Sequence, residues 1–238
     1  MAKSRLYRMR VKENVRMTDP ACEDVVVRIS LLPREGGTPA FESGQYVRIG
    51  IPGVDSPAPA YFAIASDPTQ SDGYEFFVKC AGGMAKYLCE VQAGVELEVD
   101  GPMGKGFGLD KFHGADVYLI GVGTGIAPLR SVWRYIIAHR ESFGRVAIYA
   151  GFMTPMHQLL TEELETLSEH HIEVSVTLEM GHESWDGPIG YVQHAIEADA
   201  PDGSNAVACL AGMSAMVDAC TKTLQNLGFN ESRILLNY

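Results

Sequence analysis

The residues best suited to chemistry in this chain form a glycine-rich turn. Residues 121–128 read GVGTGIAP and follow an apolar run. Glycine lets the backbone bend without a Cβ clash, and a proline suits the first turn of a helix because it has no N–H to leave unpaired. A helix that begins here presents free N–H groups and its positive end, which favour a nucleotide pyrophosphate. The predicted nucleotide-binding residues are Gly121, Gly123, Thr124, Gly125, Ile126, Ala127 and Pro128.

The spacing of these glycines is not that of the G-x-G-x-x-G dinucleotide fingerprint. A tight turn from a strand to a helix, with no ligand, is therefore an alternative interpretation of the glycines alone.

The elements around this turn alternate between strand and helix. Apolar runs typical of strands buried on both faces are separated by helical stretches, which predicts a doubly wound parallel sheet with helices on both faces. One helix follows the turn, because apolar residues from Ile126 to Ile137 recur at three-to-four spacing. The predicted strands are Val117–Gly121, Val146–Gly151, Ile172–Leu178, Val207–Ala211 and Arg233–Tyr238, and the other helices are Thr161–Glu169, Tyr191–Glu197 and Ser214–Leu227.

The first half of the chain consists of short runs rich in Val, Ile, Tyr and Phe, bounded by Gly, Pro, Asp or Asn. Six such runs without a long helix predict a closed antiparallel β-barrel. One short helix, Met84–Val91, follows Gly82 and Gly83. We expect a barrel domain at residues 1–110 and an α/β domain at residues 111–238, with the boundary near Lys111–Gly114. The predicted barrel strands are Leu6–Val15, Val25–Leu32, Gln45–Ile51, Tyr61–Ser66, Glu75–Lys79 and Glu96–Val99.

Composition excludes several classes of protein. The formal net charge of -11 disfavours nucleic acid as a partner, because phosphate backbones are bound by Lys and Arg. No apolar run is long enough to cross a bilayer, and residues 1–17 are basic but contain no signal-peptide core. These features predict a cytoplasmic protein without membrane insertion.

The five cysteines are odd in number and scattered, with no CxxC pair and no histidine at metal-ligand spacing. This pattern argues against disulfides, structural zinc and an iron–sulfur cluster carried by the chain itself, so no metal site is predicted.

Several segments occur in the order found in the ferredoxin-NADP reductase superfamily, which the chain resembles over nearly its whole length. The glycine-rich turn looks like the pyridine-nucleotide loop of that family, and FESGQYV at residues 41–47 is similar to its F-x-P-G-Q-Y-V strand. The sequence GPMG at residues 101–104 resembles the loop that leaves the barrel, and AGMSAM at residues 211–216 resembles the C-G-P-x-x-M motif. The resemblance implies FAD and NADH or NADPH as cofactors, with further binding residues at Phe62, Ala63, Ile64, Ala65, Ser66, Gly82, Gly83, Met84, Ala85, Gly151, Gly212, Met213 and Met216.

The chain departs from the family at positions that contact flavin. The arginine that pairs with the flavin phosphate falls on Ala60, the ring-contacting tyrosine on Phe62 and the first serine on Ala63. A serine that caps the short helix is also missing, so phosphate binding there would rest on backbone N–H groups. Each charge-assisted hydrogen bond contributes about 1.5–3 kcal/mol, so weaker flavin binding is expected. Phe62 can still stack on the flavin ring, or it is an aromatic residue of the barrel core.

The nicotinamide side lacks a family residue as well. The family's cysteine near the reacting carbon falls on Ala211, while Cys209 faces the same side of the strand. No catalytic acid, base or nucleophile is therefore identified. Hydride transfer between stacked rings depends on positioning more than on such groups.

Two further features bear on the nicotinamide. In several family members a terminal aromatic residue covers the flavin, which Tyr238 resembles; a surface-packed chain end is the alternative. Residues 151–157, after the second parallel strand, contain no Arg or Lys to pair with a 2′-phosphate, so NADH is weakly preferred. Alternatively, Phe152 and Met153 only cover the adenine.

Three functions follow from these observations. The first is a flavin-dependent NAD(P)H oxidoreductase or reductase component that passes electrons from flavin to an unknown acceptor, with a redox protein as one candidate. The second is a nucleotide-binding or interaction module that has the fold without flavin. The third is an electron-transfer subunit of a larger redox complex.

Overall fold

The structure is a computed structural model that describes residues 6–70 and 72–237. The first half forms six strands and one helix, and the six strands make one antiparallel sheet. These elements are β1 (Leu6–Arg16), β2 (Val26–Pro33), β3 (Tyr46–Gly50), β4 (Ala60–Ala63), β5 (Tyr74–Lys79), α1 (Gly83–Glu90) and β6 (Glu96–Met103).

The sheet has the strand order β4-β3-β6-β1-β2-β5 and curls around one core. In β5, Tyr74, Phe76 and Val78 are buried inside the barrel, because alternate side chains of a strand point to opposite faces. The outward-facing Phe77 instead belongs to the core of the second half. The barrel and the second half are therefore packed directly against each other.

The two end strands, β4 and β5, meet without a continuous ladder. The amide of Ala65 donates to the carbonyl of Glu75 over 2.8 Å, and the amide of Glu75 donates to Ser66 Oγ over 2.6 Å. The predicted six-stranded antiparallel barrel is confirmed, but its closure rests on these few bonds just after β4.

The second half is a five-stranded parallel sheet with the strand order β11-β10-β7-β8-β9. Its α/β architecture confirms the prediction, and the observed helices and strands differ from those predicted by a few residues at their ends. The elements are β7 (Asp116–Val122), α2 (Ile126–Ala138), β8 (Val146–Phe152), α3 (Thr161–Thr166), β9 (Glu173–Leu178), α4 (Val192–Asp199), β10 (Ala206–Ala211), α5 (Ser214–Asn226) and β11 (Ile234–Leu236).

Helices cover both faces of the parallel sheet. In β7, Leu119 packs with Leu129 and Trp133 of α2, whereas Ile120 packs on the opposite face with Ile196 of α4 and with residues of α5. The central strands are apolar on both sides because both sides are buried.

The prediction that the chain contains no disulfide is wrong. Cys80, just after β5, and Cys89, near the end of α1, form a disulfide with a Cα–Cα distance of 5.9 Å. Because α1 packs against β5, residues nine apart in sequence come within bonding distance. The cysteines at positions 22, 209 and 220 are free and buried.

Candidate functional site

The glycine-rich turn faces a cleft between the two halves of the chain. The cleft has a volume of about 390 Å³, within the range of small-molecule sites. The barrel contributes one wall from β4 and β5, and the α/β half contributes the other from the glycine turn and the end of β10. The lining residues are Tyr61, Phe62, Ala63, Phe77, Val78, Lys79, Val122, Thr124, Gly125, Ala127, Pro128, Ala211, Gly212, Met213 and Asn237.

Eight of the predicted cofactor-binding residues line this cleft, from both walls. They are Phe62, Ala63, Thr124, Gly125, Ala127, Pro128, Gly212 and Met213. The others lie elsewhere. Gly121, Ile126, Gly151 and Met216 are buried, Gly123 is half-buried beside the turn, and Gly82, Gly83, Met84 and Ala85 lie on α1 or just before it. Tyr238 lies outside the described residues.

Ile64, Ala65 and Ser66 are buried behind the cleft. Ile64 is part of the barrel core, and Ala65 packs with the core of the α/β half. The hydroxyl oxygen of Ser66 accepts a hydrogen bond from the backbone amide of Glu75. These three residues follow β4, two of them bond to Glu75 of β5, and none of the three lines the cleft.

Two of the glycines permit a close backbone approach. A Cβ on Gly125 would lie 2.3 Å from the carbonyl oxygen of Ala211, and a Cβ on Gly121 would lie 3.1 Å from the same oxygen. Only glycine therefore lets the turn pack against the end of β10 in this way. Gly123 differs, because it has a φ of +52° and open space where a Cβ would be. The glycine turn thus packs against β10 through Gly121 and Gly125 and is open at Gly123.

The helix α1 begins with backbone that is open to a ligand. Gly82 and Gly83 both have positive φ, and a Cβ on either of them would have no neighbouring atom within 4 Å. No side chain caps the N-terminus of α1, so its first N–H groups have no side-chain acceptor among the described residues. Uncapped N–H groups at a helix N-terminus favour an anion such as a diphosphate.

The register of β4 determines how far its two aromatic side chains are exposed. Phe62 pairs with Val47, a fully buried residue of the barrel, and packs against the barrel core. Tyr61 pairs with Arg48 on the outer face and is 63% exposed. Its ring lies edge-on to Tyr46, with centroids 5.7 Å apart. Both aromatics line the cleft, but Tyr61 is the exposed one on the outer side of β4, whereas Phe62 also packs against the barrel core.

In the described part of the chain, the cation that lines the cleft is Lys79, at the end of β5. Its Nζ lies 2.9 Å from Asp24 Oδ2, and His157 Nε2 of the α/β half lies 3.6 Å from the same oxygen. The hydrogen bond and charge of Lys79 lower the pKa of Asp24 below its usual value. Lys79 is about half exposed, so it can also turn toward an anionic ligand.

On the nicotinamide side, β10 offers no reactive side chain. Ala211 lines the cleft, and Cys209 faces the same side of the sheet but is fully buried. Burial raises the pKa of the Cys209 thiol well above its usual value. Cys209 is therefore an inert core residue at neutral pH.

The segments after β8 and β9 run side by side at the carboxyl edge of the sheet. The amide of Glu179 donates to Phe152 O over 2.8 Å, and that of Met180 donates to Met153 O over 2.9 Å. Met153 and Met180 are exposed, as are Ile189 and Tyr191 nearby in sequence. Exposed apolar side chains at this edge suit a planar base.

Seven lining residues were not among the predicted binding residues: Tyr61, Phe77, Val78, Lys79, Val122, Ala211 and Asn237. Tyr61 was missed because the resemblance aligns the family's ring-contacting tyrosine with the adjacent Phe62. The alternation in β5, where Phe77 and Lys79 share the face opposite to Phe76, was the signal available for those two. Asn237 comes from the far end of the chain, and no pattern in its neighbourhood indicates it.

Within residues 6–70 and 72–237, no group of three or more His, Cys, Asp or Glu side chains is placed to hold a metal ion. Across the same part of the chain, none of the helices has the length and apolar character needed to span a lipid bilayer.

Comparison with known proteins matches part of the α/β half to a family and most of the chain to curated relatives. The oxidoreductase NAD-binding domain family matches residues 119–222. Ferredoxin-NADP reductase B of Sorangium cellulosum is 30% identical over 172 residues, which cover 71% of this chain and 70% of that protein. Sulfhydrogenase 1 subunit gamma of Pyrococcus furiosus is 28% identical over 202 residues, covering 82% of this chain and 67% of that subunit.

Other relatives are longer than the region they share with this chain. The propane 2-monooxygenase reductase component of Mycolicibacterium smegmatis is 32% identical over 162 residues, which are only 45% of its length. Among solved structures, an Amycolatopsis cytochrome P450 reductase has a TM-score of 0.83 at 26% identity, covering 98% of this chain and 69% of that one. A Neisseria gonorrhoeae ferredoxin NADP⁺ reductase with bound FAD and NADP has a TM-score of 0.80, with 97% of both chains covered. Its 17% identity shows the fold alone.

The antiparallel barrel, the parallel sheet, the cleft between them and these relatives lead to one assignment. The chain belongs to the ferredoxin-NADP reductase superfamily of NAD(P)H-dependent oxidoreductases.

Proposed function

We propose that this chain takes a hydride from NADH onto FAD held in the cleft and passes the electrons to a separate redox protein. The observation that carries the proposal is the cleft itself, in which a wall from the barrel and the glycine turn face each other. When bound, FAD supplies the hydride-accepting ring and releases the electrons to an acceptor.

The residues present fit FAD mainly through backbone groups. The uncapped start of α1 and the open space at Gly82 and Gly83 suit its diphosphate. Tyr61 offers an exposed aromatic ring on the cleft-facing side of β4, where it can pack on the flavin ring. Lys79 supplies a positive charge in the cleft, whereas Ala60 occupies the position of the family's phosphate-binding arginine.

The glycine turn would hold the nicotinamide nucleotide opposite this flavin. Thr124, Gly125 and Ala127 line the cleft at the beginning of α2, so the positive end of that helix is directed to the ligand. Gly212 and Met213 form the neighbouring edge after β10. Positioning of two rings between these walls is the chemistry that the chain itself provides.

The surroundings of the predicted adenosine site favour NADH over NADPH. Residues 151–157 and 178–184, which run side by side, contain no Lys or Arg. Glu179 is exposed there and repels a 2′-phosphate. His157 is engaged with Thr154 and Asp24. We expect at least a roughly tenfold higher kcat/KM for NADH, which corresponds to about 1.4 kcal/mol.

The electron acceptor is proposed from the relatives. These include the reductase component of an oxygenase and a subunit of a sulfhydrogenase, as well as NADH-cytochrome b5 reductase 1 of Dictyostelium discoideum. All three names describe proteins that work with a redox partner or within a redox complex. A one-electron redox protein is therefore the proposed acceptor for this chain.

The test begins with purified protein and added FAD. We expect saturable flavin binding, bleaching of the flavin absorbance by NADH without oxygen, and reduction of ferricyanide. Tyr61→Ala should weaken FAD binding, whereas Leu6→Ala, an equally exposed apolar position on β1, should leave it unchanged. Protein that binds NADH but no FAD would instead support a nucleotide-binding module without flavin.

A further inference from the structure

Arg130 is a buried charge in the interface between the two halves of the chain. It lies on α2, five residues after Gly125, and its side chain is only 4% exposed. Its Nη1 donates to Glu75 Oε2 over 2.6 Å and to the carbonyl oxygen of Ala65 over 3.0 Å. Its Nε donates to Glu163 Oε2 over 2.9 Å. A buried arginine with all these partners is held in a single orientation.

These contacts join the two walls of the cleft. Ala65 follows β4, and Glu75 belongs to β5, so both partners are attached to the strands that form the barrel wall. Phe77, which lines the cleft, lies under the guanidinium, with Arg130 Cζ 5.7 Å from its ring centroid. Arg130 itself follows the glycine turn on the same helix. The arginine thus connects the wall proposed for flavin with the wall proposed for nicotinamide.

The surroundings keep the Glu163 carboxylate charged. Arg134 Nε lies 3.1 Å from Glu163 Oε1, and Trp133 Nε1 donates to the same oxygen over 3.0 Å. Burial alone would raise the pKa of Glu163, but the charges of Arg130 and Arg134 lower it below its usual value. The arrangement is therefore a network of charges with defined geometry.

Arg130 is not needed simply to hold the halves together. Ser43 Oγ of the barrel donates to the carbonyl oxygen of Ser131, and Ser131 Oγ donates to Ser43 Oγ over 3.1 Å. Phe107 and Leu109, between the barrel and β7, also pack into the core of the α/β half. Loss of the arginine should therefore change the alignment of the two walls more than their association.

We propose that Arg130 is a positioning residue for hydride transfer, which fixes the separation and tilt between the β4–β5 wall and the glycine turn. This inference rests on the proposed function. Reacting atoms must approach to about 3–3.5 Å, and a misplacement of about 1 Å can cost roughly 100-fold in rate. Lysine cannot replace the arginine, because an ammonium lacks the planar fork that reaches the carbonyl and both carboxylates while covering Phe77.

The test compares Arg130→Lys and Glu75→Gln with the wild type. Glu75→Gln retains the acceptor's shape and leaves the Arg130–Glu163 pair intact, so it carries the test if Arg130→Lys does not fold. Arg134→Gln is the matched control, because it removes a charge from the same helix and the partner of Arg134, Glu163, belongs to the α/β half. Measurements are stopped-flow flavin reduction by NADH, the primary deuterium isotope effect, and the long-wavelength absorbance of stacked reduced nicotinamide and oxidised flavin.

For the two test variants we expect a roughly 10- to 100-fold slower hydride transfer with the dissociation constant for NADH changed less than about threefold. The isotope effect should rise, and the absorbance of the stacked rings should fall. Arg134→Gln should match the wild type in all three. A merely structural role would change thermal stability and leave the stacking absorbance and isotope effect unaltered.

The two proposals fail in different ways. If the wild type is reduced by NADH and both test variants keep its rate and its stacking absorbance, the positioning role of Arg130 is overturned while the proposed function stands. If the wild type binds no flavin, the proposed function and this inference both fall.

Discussion

Gly125 offers a direct measure of how tightly the glycine turn is packed. In Gly125→Ala the new Cβ would lie 2.3 Å from the carbonyl oxygen and 2.8 Å from the carbonyl carbon of Ala211. Both atoms belong to the backbone of β10, so no side chain can rotate away. The start of α2 must shift instead, and overpacking of this kind costs about 1–3 kcal/mol.

Alanine substitutions at two other glycines provide a scale for the stability loss in Gly125→Ala. Gly121→Ala meets Leu129 Cδ1 at 2.6 Å, which is the end of a flexible side chain, so a smaller loss is expected. Gly37→Ala has nothing within 4 Å and an ordinary φ, so it should be neutral or stabilise by up to about 1 kcal/mol.

The assay is equilibrium unfolding in urea, supported by thermal melting. A loss of about 1–3 kcal/mol in a chain of this size lowers Tm by about 2–4 °C per kcal/mol. The reasoning is refuted if Gly125→Ala unfolds at the same urea concentration as Gly37→Ala, or if Gly121→Ala is the more damaging of the two turn variants.

Other predictions concern α1 and the buried charges. Asn14→Ala should cost about 1–3 kcal/mol in urea unfolding, because Asn14 Nδ2 donates to three carbonyl oxygens at the C-terminal end of α1. Reduction of the Cys80–Cys89 disulfide should lower the unfolding free energy by about 2–3 kcal/mol, because the unfolded chain regains the entropy of the closed loop. Urea unfolding with and without dithiothreitol measures this loss. Mass spectrometry after maleimide labelling should then find two newly reactive thiols. The pKa of Glu163 is lower in the folded chain than its usual value of 4.5, so its ionised carboxylate stabilises the fold at a pH above 4.5. This contribution is lost as the pH falls through the folded pKa. The unfolding midpoint should therefore drop with acid in the wild type and less steeply in Glu163→Gln.

Local patterns in the sequence determine the architecture well. Short runs with strand-forming residues predicted the six barrel strands, and apolar runs separated by helical periodicity predicted the parallel sheet. The strand before the glycine turn and the helix after it form where the sequence predicted them, because strand, turn and helix are contiguous in the chain. These features depend on neighbours in sequence.

The features that sequence reasoning missed depend on contacts between distant segments. Cys80 and Cys89 meet only because α1 packs against β5. The face of Tyr61 depends on its pairing with Arg48, which a run of two aromatic residues does not reveal. Arg130 reads in sequence as an ordinary polar residue of an amphipathic helix, and its partners at Ala65 and Glu75 come from the other half of the chain.

In the proposed function, the diphosphate of FAD lies at the start of α1, where the side-chain contacts typical of the family are missing. The N-terminus of α1 has only backbone N–H groups to offer, and their attraction for an anion depends on the direction of the helix axis. The opposite end of the same helix is held by two contacts. The side-chain amide of Asn14 donates to backbone carbonyl oxygens there, and Cys89 is joined to Cys80 by the disulfide. Because both restrain the C-terminal end, α1 is held in one direction before any ligand arrives, which lowers the ordering cost of binding. FAD affinity should therefore fall when these anchors are removed, even though neither of them can touch the phosphates.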